Sequence, residues 1–507
     1  VLDDPVEREV KLAADRRFSL PDLGDLVNRT VRLPEQRLLA VYFDTPDHRL
    51  WARRMTLRHR VEGNHGTGVW TLKTPRPNVG PTLDRTELEW SGSLDFIPDP
   101  VKEILLGIVR KAPLQKVTSL ETIRRRLALQ GGNQILLAEI DDDLVTIQGG
   151  PHDGDCFRQI EVEVDKADDD LLENCLERLC EAGAWIDDRG PKLAYAMDED
   201  GPSGGHARSL GPKSTVADVV RASLKDGLDR ILDHEYLLRL HEQDPPPEAI
   251  HQARVAARRL RSDLQTLKVV LDPVWVRHTR DDLKWLGGEL GLVRDVDVLG
   301  VHLELNGSPK GGSQGMDGLR AQLEAQRETA AERVTDALQS ERYLLLLDKL
   351  HAAVERPPIL DSSGAGRGVR PDQKASKALP KVVKRPLKKL RKEVRGAGRQ
   401  PTDRQLHLIR IAAKRLRYAA EGAEAVVGKE ARRVAESAES LQTQLGNHHD
   451  AVIAEAWLRA QAKGASSKVA FSAGLLACEQ IRRQQVYRKD WRGGWEKIDR
   501  RARAWLG

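Results

Sequence analysis

Cysteine is scarce: four residues, Cys156, Cys175, Cys180 and Cys478, in a chain of 507. Their spacing matches no zinc-binding pattern and sets up no disulfide framework, so a reducing cytoplasm is the expected location. Aromatic residues are equally thin at 4%, which argues against the base-stacking platforms that hold single-stranded nucleic acid. No apolar run approaches the ~20 residues a membrane-spanning helix requires, so no membrane partner is expected. The first thirty residues are charged throughout, unlike a secretory leader. No Ser-His-Asp or Cys-His arrangement stands out, which leaves little basis for a covalent intermediate.

What the chain does carry is charge. Charged residues make up 31% and hydrophobic residues 40%, a globular balance with material for several domains. The formal net charge of +5 hides a division. Residues 1–200 hold 27 Lys and Arg against 38 Asp and Glu, a net of −11; residues 201–507 hold 55 against 39, a net of +16. The basic part points to a polyanionic partner: nucleic acid, polyphosphate or an anionic surface.

The acidic part reads as strands with charges at every second position. Glu7-Arg8-Glu9-Val10-Lys11 would project Glu7, Glu9 and Lys11 from one side of a strand. A short helix is expected over Leu20–Arg32, then a strand over Leu38–Asp44 ending in Tyr42-Phe43-Asp44-Thr45. Thr56–Arg60 and Gly68–Lys73 read as a hairpin turning through Gly63–Gly68, with Arg58 and Arg60 on one face and Thr71 with Lys73. Arg85-Thr86-Glu87-Leu88-Glu89 again sets three charges together; a helix around Pro100–Lys111 follows. Thr122–Leu127, Ile135–Val145 with alternating Glu139, Asp141 and Asp143, and Ile160–Val164 with Glu161 and Glu163 complete the strands, before a helix over Asp168–Ala182 and Pro191-Lys192. One such strand would be an ordinary solvated face. About seven of them, with Glu, Asp, Arg and Lys replacing the usual Ser and Thr, imply that metal ions and a polyanion balance the charge. A closed antiparallel barrel with a polar lumen gathers every inward residue around one cavity.

The ordered series Glu-x-Glu-x-Lys, Tyr-Phe-Asp-Thr, Leu-Arg-x-Arg, Thr-Leu-Lys, Arg-x-Glu-x-Glu, a late Glu-x-Glu and a final Lys resembles the CYTH family, the triphosphate tunnel metalloenzymes, over residues 4–200. That resemblance implies an eight-stranded antiparallel tunnel around a triphosphate. It implies Glu7, Glu9, Glu87, Glu89, Asp141, Glu161 and Glu163 as ligands of Mg²⁺ or Mn²⁺, and Lys11, Arg58, Arg60, Lys73, Arg85, Arg124, Arg126 and Lys192 as phosphate-binding residues. Glu7, Glu9, Lys11, Arg58, Arg60 and Lys73 form the implied catalytic set. Arg124 and Arg126 compete for one phosphate position; Glu139, Asp141 and Asp143 compete for one acidic position, with Asp141 favoured. Such a lining suits phosphoryl transfer, in which positioning and electrostatics supply most of the acceleration.

Asp198–Ser214 is rich in Gly, Pro, Ser and Asp, which separates a domain of residues 1–200 from one of residues 214–507 by a linker at 201–213. The second domain contains a duplication: His251–Arg261 recurs as His407–Arg417, and Leu286–Asp295 as Leu441–Asp450, placing repeats at about 214–355 and 375–507. His251, Arg254, Arg258 and Arg261 share a helical stripe, copied by His407, Arg410, Lys414 and Arg417. Ala253, Ala256, Ala257, Leu260, Leu264 and Leu267 form the packing stripe. Lys374–Arg395 holds ten basic residues and one acid and reads as a helix interrupted at Pro380 and Pro386; Asn306–Gly318 and Pro357–Gly368 read as loops.

The paired His-x-x-Arg-x-x-x-(Arg/Lys)-Arg-x-Arg segments resemble the CHAD family, an α-helical domain of two similar bundles. The resemblance implies that both stripes bind inorganic polyphosphate. One departure is His448-His449-Asp450, which stands where the first copy has Val293-Arg294-Asp295. Binding there should strengthen as pH falls through ~6.5, where an unperturbed histidine gains charge. The expected protein is an α+β antiparallel tunnel fused to an all-α duplicated bundle, hydrolysing inorganic triphosphate to diphosphate and phosphate. Thiamine triphosphate and nucleoside triphosphates remain alternative substrates, and a non-catalytic polyphosphate scaffold is the alternative from another class; a nucleic-acid partner is not expected.

Overall fold

The computed structural model describes residues 8–63, 68–75, 85–164, 169–197, 210–304, 313–360 and 369–506. Glu7 and most of the 201–213 linker lie outside the described residues. The chain divides into two compact units, residues 1–205 and 206–507.

The first unit is one antiparallel sheet of ten strands: β1 (Arg8–Ala14), β2 (Arg29–Arg32), β3 (Gln36–Asp44), β4 (Thr56–Glu62), β5 (Gly68–Pro75), β6 (Arg85–Gly92), β7 (Gln115–Gln130), β8 (Leu136–Gln148), β9 (Cys156–Val164) and β10 (Ala184–Ile186). Their order is β10-β1-β9-β8-β7-β3-β4-β5-β6, with β2 against β7. Two expectations are corrected here. There are ten strands rather than eight, and among the described residues no ladder joins β6 to β1 or β10, so the sheet is open. The extra strands follow from length: β7 is 16 residues long, and β2 pairs with the end that β3 leaves free, Leu127–Gln130. The helix expected over Leu20–Arg32 is also absent. Asp22 accepts a hydrogen bond from the Gly24 N–H at 3.0 Å, turning the chain, and Leu23 still reaches the core in this irregular backbone before β2 begins.

Strand alternation gives the sheet two chemically different faces. Leu12, Leu127, Leu129, Ile140, Ile160 and Val162 point to one side and pack under Leu171, Leu172, Cys175 and Leu179 of α2 (Asp169–Glu181). A second helix, α1 (Asp99–Val109), precedes β7 and buries Val101, Ile104, Leu105 and Ile108, the i, i+3, i+4, i+7 stripe of an amphipathic helix. Gly68 opens β5 because the His59 ring lies over it: a Cβ there would come within 2.1 Å of the ring.

The second unit is all helical. Its first five helices are α3 (Val216–Leu240), α4 (Pro247–Leu267), α5 (Pro273–Glu304), α6 (Ser313–Gln339) and α7 (Glu341–Glu355). The next five are α8 (Ala375–Gly396), α9 (Asp403–Val427), α10 (Lys429–Ala462), α11 (Ser467–Tyr487) and α12 (Trp491–Leu506). Neighbour packing repeats from one set to the other: α3 on α4 and α8 on α9, α4 on α5 and α9 on α10, α5 on α6 and α10 on α11. The sets meet through α4 on α9 and α6 on α11. Ser313–Gly318, expected as loop, is the first turn and a half of α6. Pro380 and Pro386 sit inside an unbroken α8. An interior proline costs about 3 kcal/mol, and α8 buries Leu379, Val382, Val383, Leu387, Leu390 and Val394, each contributing about 1.5–3 kcal/mol when fully buried. Packing therefore outweighs the interruption. Among the described residues no helix is long and apolar enough to cross a membrane.

Candidate functional site

On the sheet face opposite α2, register sets the expected charges into rows. Glu9 on β1 stands opposite Glu163 on β9, which stands opposite Glu139 on β8. The next row runs Lys11, Glu161, Asp141, Arg126, and the next Gln159, Asp143, Arg124. Across β3 the same face continues with Arg60 and Arg58 on β4, opposite Ala40 and Tyr42. Thr71 and Lys73 on β5 then stand opposite Glu89 and Glu87 on β6. Arg124 and Arg126 thus share the face, as do Glu139, Asp141 and Asp143, and neither pair of alternatives excludes the other. Arg85 falls in β6, and Glu7 lies outside the described residues.

Acids and bases on this face are paired with one another. Lys11 reaches Glu9 and, at 3.0 Å, Glu161. Arg124 holds Asp141, Asp143 at 2.7 Å and Glu161 at 3.1 Å. Arg126 holds Glu139 and lies 3.4 Å from Asp141, and Lys73 holds Glu87. Lys192, from the turn after β10, reaches in to Glu161 at 2.7 Å and Asp143 at 2.9 Å. Beyond it Leu193, Ala196 and Met197 cover Ala40, Tyr42, Leu120, Val145 and Ile147, so the same face turns apolar and is stoppered at one end. Glu9 and Glu87, with 43% and 45% of their side chains exposed, are far more open than the fully buried Asp143. Lys11 also acts electrostatically on Lys73 and Glu87. The sheet therefore curls until β1 comes near β5 and β6, although no ladder closes it.

The electrostatics divide the lining. Burial opposes charge on Glu161, yet Lys192, Lys11 and Arg124 hold it well below the usual carboxylate range. Asp141 is pushed up to about 6 by burial, which Arg124 opposes and Asp143, Glu139 and Glu161 reinforce. Its Oδ1 is buried and makes no hydrogen bond, with Arg126 Nε 3.4 Å away. Carboxylates standing opposite one another repel, and an all-oxygen set with an unsatisfied atom fits a hard divalent cation. Among the described residues no three side chains already form a metal-ligating group, because Glu9, Glu139 and Glu161 are drawn to bases. On the other side of the face, burial and Arg58 bring Lys73 down to about 8 against the pull of Glu87. Burial, Arg58 and Arg124 lower Arg60. Arg58 Nε is buried with no partner. Lys73 has Glu87 as its partner, while Arg58 and Arg60 crowd each other.

Two residues outside the expected set support Lys192. Buried Gln159 donates to Asp187 at 2.5 Å and to the Gly190 carbonyl at 3.1 Å, and Phe157 stacks on Tyr195 at 3.9 Å. These fix both flanks of the segment that carries Lys192. Gln159 occupies the inward phase of β9, two residues before Glu161; its neutral side chain hid it.

In the helical unit the two stripes approach each other. Lys414 is under electrostatic pressure from Arg258, Arg410, Arg254 and Arg417. Burial first, then these cations, bring it down to about 6. Arg258 donates to the Tyr418 hydroxyl at 3.1 Å. The repeated Leu-Gly…Asp segment now has a purpose: the Arg254 guanidinium lies 3.2 Å from where a Cβ on Gly291 would stand and 3.2 Å from Asp295. Arg410 lies 3.5 Å from the same point on Gly446 and feels Asp450. Arg410 Nε and His407 Nδ1 are buried without partners, and the His407 ring packs on His449 at 4.2 Å. Two expected members have other partners as well. Arg417 is held by Glu421 at 2.6 Å and Glu439 at 2.8 Å, and Arg261 is influenced chiefly by burial and Arg415. The histidines are also corrected. Burial and neighbouring cations lower His251 and His407, and His449 is brought down to about 4, so none of these gains charge at the unperturbed value.

The CYTH domain model matches residues 6–184 and the CHAD domain model residues 222–459. An uncharacterized protein of Mycobacterium tuberculosis, recorded in two strains, is 32% identical over 508 residues, covering 94% of this chain and 93% of its own. The CHAD domain from the plant Ricinus communis is 26% identical with a TM-score of 0.45, covering 59% of this chain and 95% of that one. PptA from Streptomyces chartreusis is 23% identical with a TM-score of 0.45, covering 56% and 100%. The chain belongs to the proteins that join an N-terminal CYTH domain to a CHAD domain.

Proposed function

We propose that the first unit hydrolyses inorganic triphosphate to diphosphate and phosphate with a divalent cation, Mg²⁺ or Mn²⁺, and that the second unit binds inorganic polyphosphate. The observation that carries the first part is one sheet face on which carboxylates crowd at β1, β8 and β9 while Arg58 and Arg60 stand on β4, Arg58 with a buried Nε that has no hydrogen-bond partner. Membership of the CYTH family supports the same reading. Glu9, Glu161, Glu163 and Asp141 would hold the cation, which supplies charge neutralisation on the phosphoryl oxygens and a more acidic water. Arg58 and Arg60 bind and orient the phosphates, since a guanidinium fork meets two phosphate oxygens at once. Lys73 and Lys11 add point charges. Lys192 and Arg124 exchange carboxylate partners for phosphate oxygens as substrate enters. The apolar stopper of Leu193, Ala196 and Met197 limits water at the closed end.

For the second unit, the support is the meeting of Arg254 and Arg258 with Arg410 and Lys414, where the acids in play are Asp295 and Asp450. A flexible phosphate chain fits between two helices where a nucleic-acid duplex does not. The test is phosphate release from triphosphate, thiamine triphosphate and ATP with Mg²⁺, Mn²⁺ or a chelator, alongside polyphosphate binding at graded salt. Fastest metal-dependent turnover on inorganic triphosphate is expected; turnover that survives chelation refutes the cation's role.

A further inference from the structure

A cleft of about 460 Å³ opens in the helical unit where the end of α4, the first turns of α5 and one turn of α8 meet. Its position follows from the backbone. Residues after α7 pair back on the α4–α5 connection: the Leu360 N–H donates to the Val270 carbonyl at 2.9 Å and the Asp272 N–H to the Pro358 carbonyl at 2.9 Å. This short bridge builds one wall. Lys268, Arg277, Arg280 and Arg385 surround the cleft, and among the described residues none of the four is in an ion pair. Arg280 is lowered by burial and by nearby Arg261 and Arg415, with Asp281 the opposing acid. The remaining wall is different in kind: Leu271, Val276 and Leu360 present carbon, and Gln265 presents one amide with a donor and an acceptor.

We propose that this cleft binds a nucleoside polyphosphate, its phosphates on Arg277, Arg280, Arg385 and Lys268 and its base against the aliphatic wall, with the Gln265 amide on the base edge. An inorganic phosphate chain would satisfy the cations and leave the carbon wall in water. A ligand with an apolar ring and a phosphate tail covers both, and the volume is that of a site for one small molecule. The cleft shares no lining residue with the Arg254–Lys414 groove and does not depend on the function proposed for either unit.

The experiment titrates the full chain with a fluorescent N-methylanthraniloyl-ADP in chelator, and repeats the titration with excess tripolyphosphate as competitor. Saturable binding is expected, displaced by unlabelled ADP and weakened at least tenfold by Arg277→Ala with Arg280→Ala. Arg58→Lys and Lys414→Met should leave it unchanged. Arg277 and Arg385 are exposed, so Arg385→Glu at the rim provides a second variant that spares the packing and is expected to weaken binding as well. Absence of saturable binding, full displacement by tripolyphosphate, or equal affinity in the Arg277/Arg280 and Arg385 variants overturns the proposal. Binding of phosphatidylglycerol vesicles that is lost in the same variants, without nucleotide binding, overturns it in favour of a lipid headgroup.

Discussion

Lys414→Met should stabilise the protein while weakening polyphosphate binding. The lysine sits among Arg254, Arg258, Arg410 and Arg417, and burial followed by these charges brings it from a usual value near 10.5 to about 6. The sign follows from proton counting. Between pH 6 and 10.5 the unfolded chain binds the proton and the folded chain does not, so folding loses stability as pH falls through this window. Above 10.5 both states are neutral and the loss vanishes. At ~1.4 kcal/mol per unit, the displacement between 10.5 and 7 corresponds to about 5 kcal/mol. Lys414 keeps part of its surface in water, and solvent screening reduces this to roughly 2 kcal/mol. Methionine keeps most of the volume without the charge, so Tm at pH 7 should rise by roughly 4 °C, more at pH 6 and by nothing near pH 10.5. Bound polyphosphate would supply the missing counter-charge. Since at pH 7 only about one free molecule in ten carries the proton, binding should take up nearly one proton per site. Thermal melts from pH 6 to 10.5 and calorimetry in two buffers of different ionisation enthalpy measure both effects. A Lys414→Met protein that melts at or below the parent at every pH, with proton uptake unchanged, refutes the reasoning.

Glu9→Gln and Glu163→Gln should each lower metal affinity by about 10–100-fold without moving Tm; wild-type turnover at limiting Mg²⁺ in both would place the cation elsewhere. Arg58→Lys removes a buried Nε that has no protein partner and should cost about 1.5–3 kcal/mol in kcat/KM; unchanged kinetics would put Arg58 out of contact with substrate. Gln159→Leu should free the segment holding Lys192 and raise KM for triphosphate, with faster amide exchange over residues 187–195; unaltered exchange would show that stacking of Phe157 on Tyr195 suffices. Gly291→Ala should weaken polyphosphate binding more than Gly446→Ala, because the arginine stands at 3.2 Å in one case and 3.5 Å in the other; the reverse order would contradict the packing argument.

Much of the site was legible because strand alternation is a two-residue rule. Once Glu161 and Glu163 or Arg58 and Arg60 are in strands, register has only to set the strands side by side. The open ladder was not legible: closure depends on curvature and on short edge strands such as β10, three residues long, which carry no periodic signal. The helix expected at Leu20–Arg32 failed because Leu23, Leu26 and Val27 have helical spacing, while Pro21, Asp22 and Gly24 favour a turn that serves the core equally well. On the helices, charge spacing identified Arg254, Arg258, Arg410 and Lys414. It could not separate them from Arg261 and Arg417, whose surroundings depend on Arg415 and Glu439 from other turns and helices. The Leu-Gly…Asp repeat was visible, and its link to the arginines needed the α4–α5 and α9–α10 packing.

The two units meet anions in different electrostatic states, and this decides what each requires. The tunnel face presents the carboxylates of Glu9, Glu87, Glu89, Glu139, Asp141, Asp143, Glu161 and Glu163 to the bases of Lys11, Arg58, Arg60, Lys73, Arg124, Arg126 and Lys192. Such a lining has no excess of positive charge among its described side chains. A triphosphate entering it alone would release bases from their acids and leave the acids facing one another. Under the proposed function, Glu9, Asp141, Glu161 and Glu163 would hold a divalent cation while the bases hold the phosphates, and cation and substrate would then each be favoured by the presence of the other. In the helical groove Arg254, Arg258, Arg410 and Lys414 outnumber Asp295 and Asp450, and burial followed by the neighbouring arginines lowers Lys414. Under the proposed function the polyanion itself would remove the repulsion, and binding should need protons and low salt rather than metal.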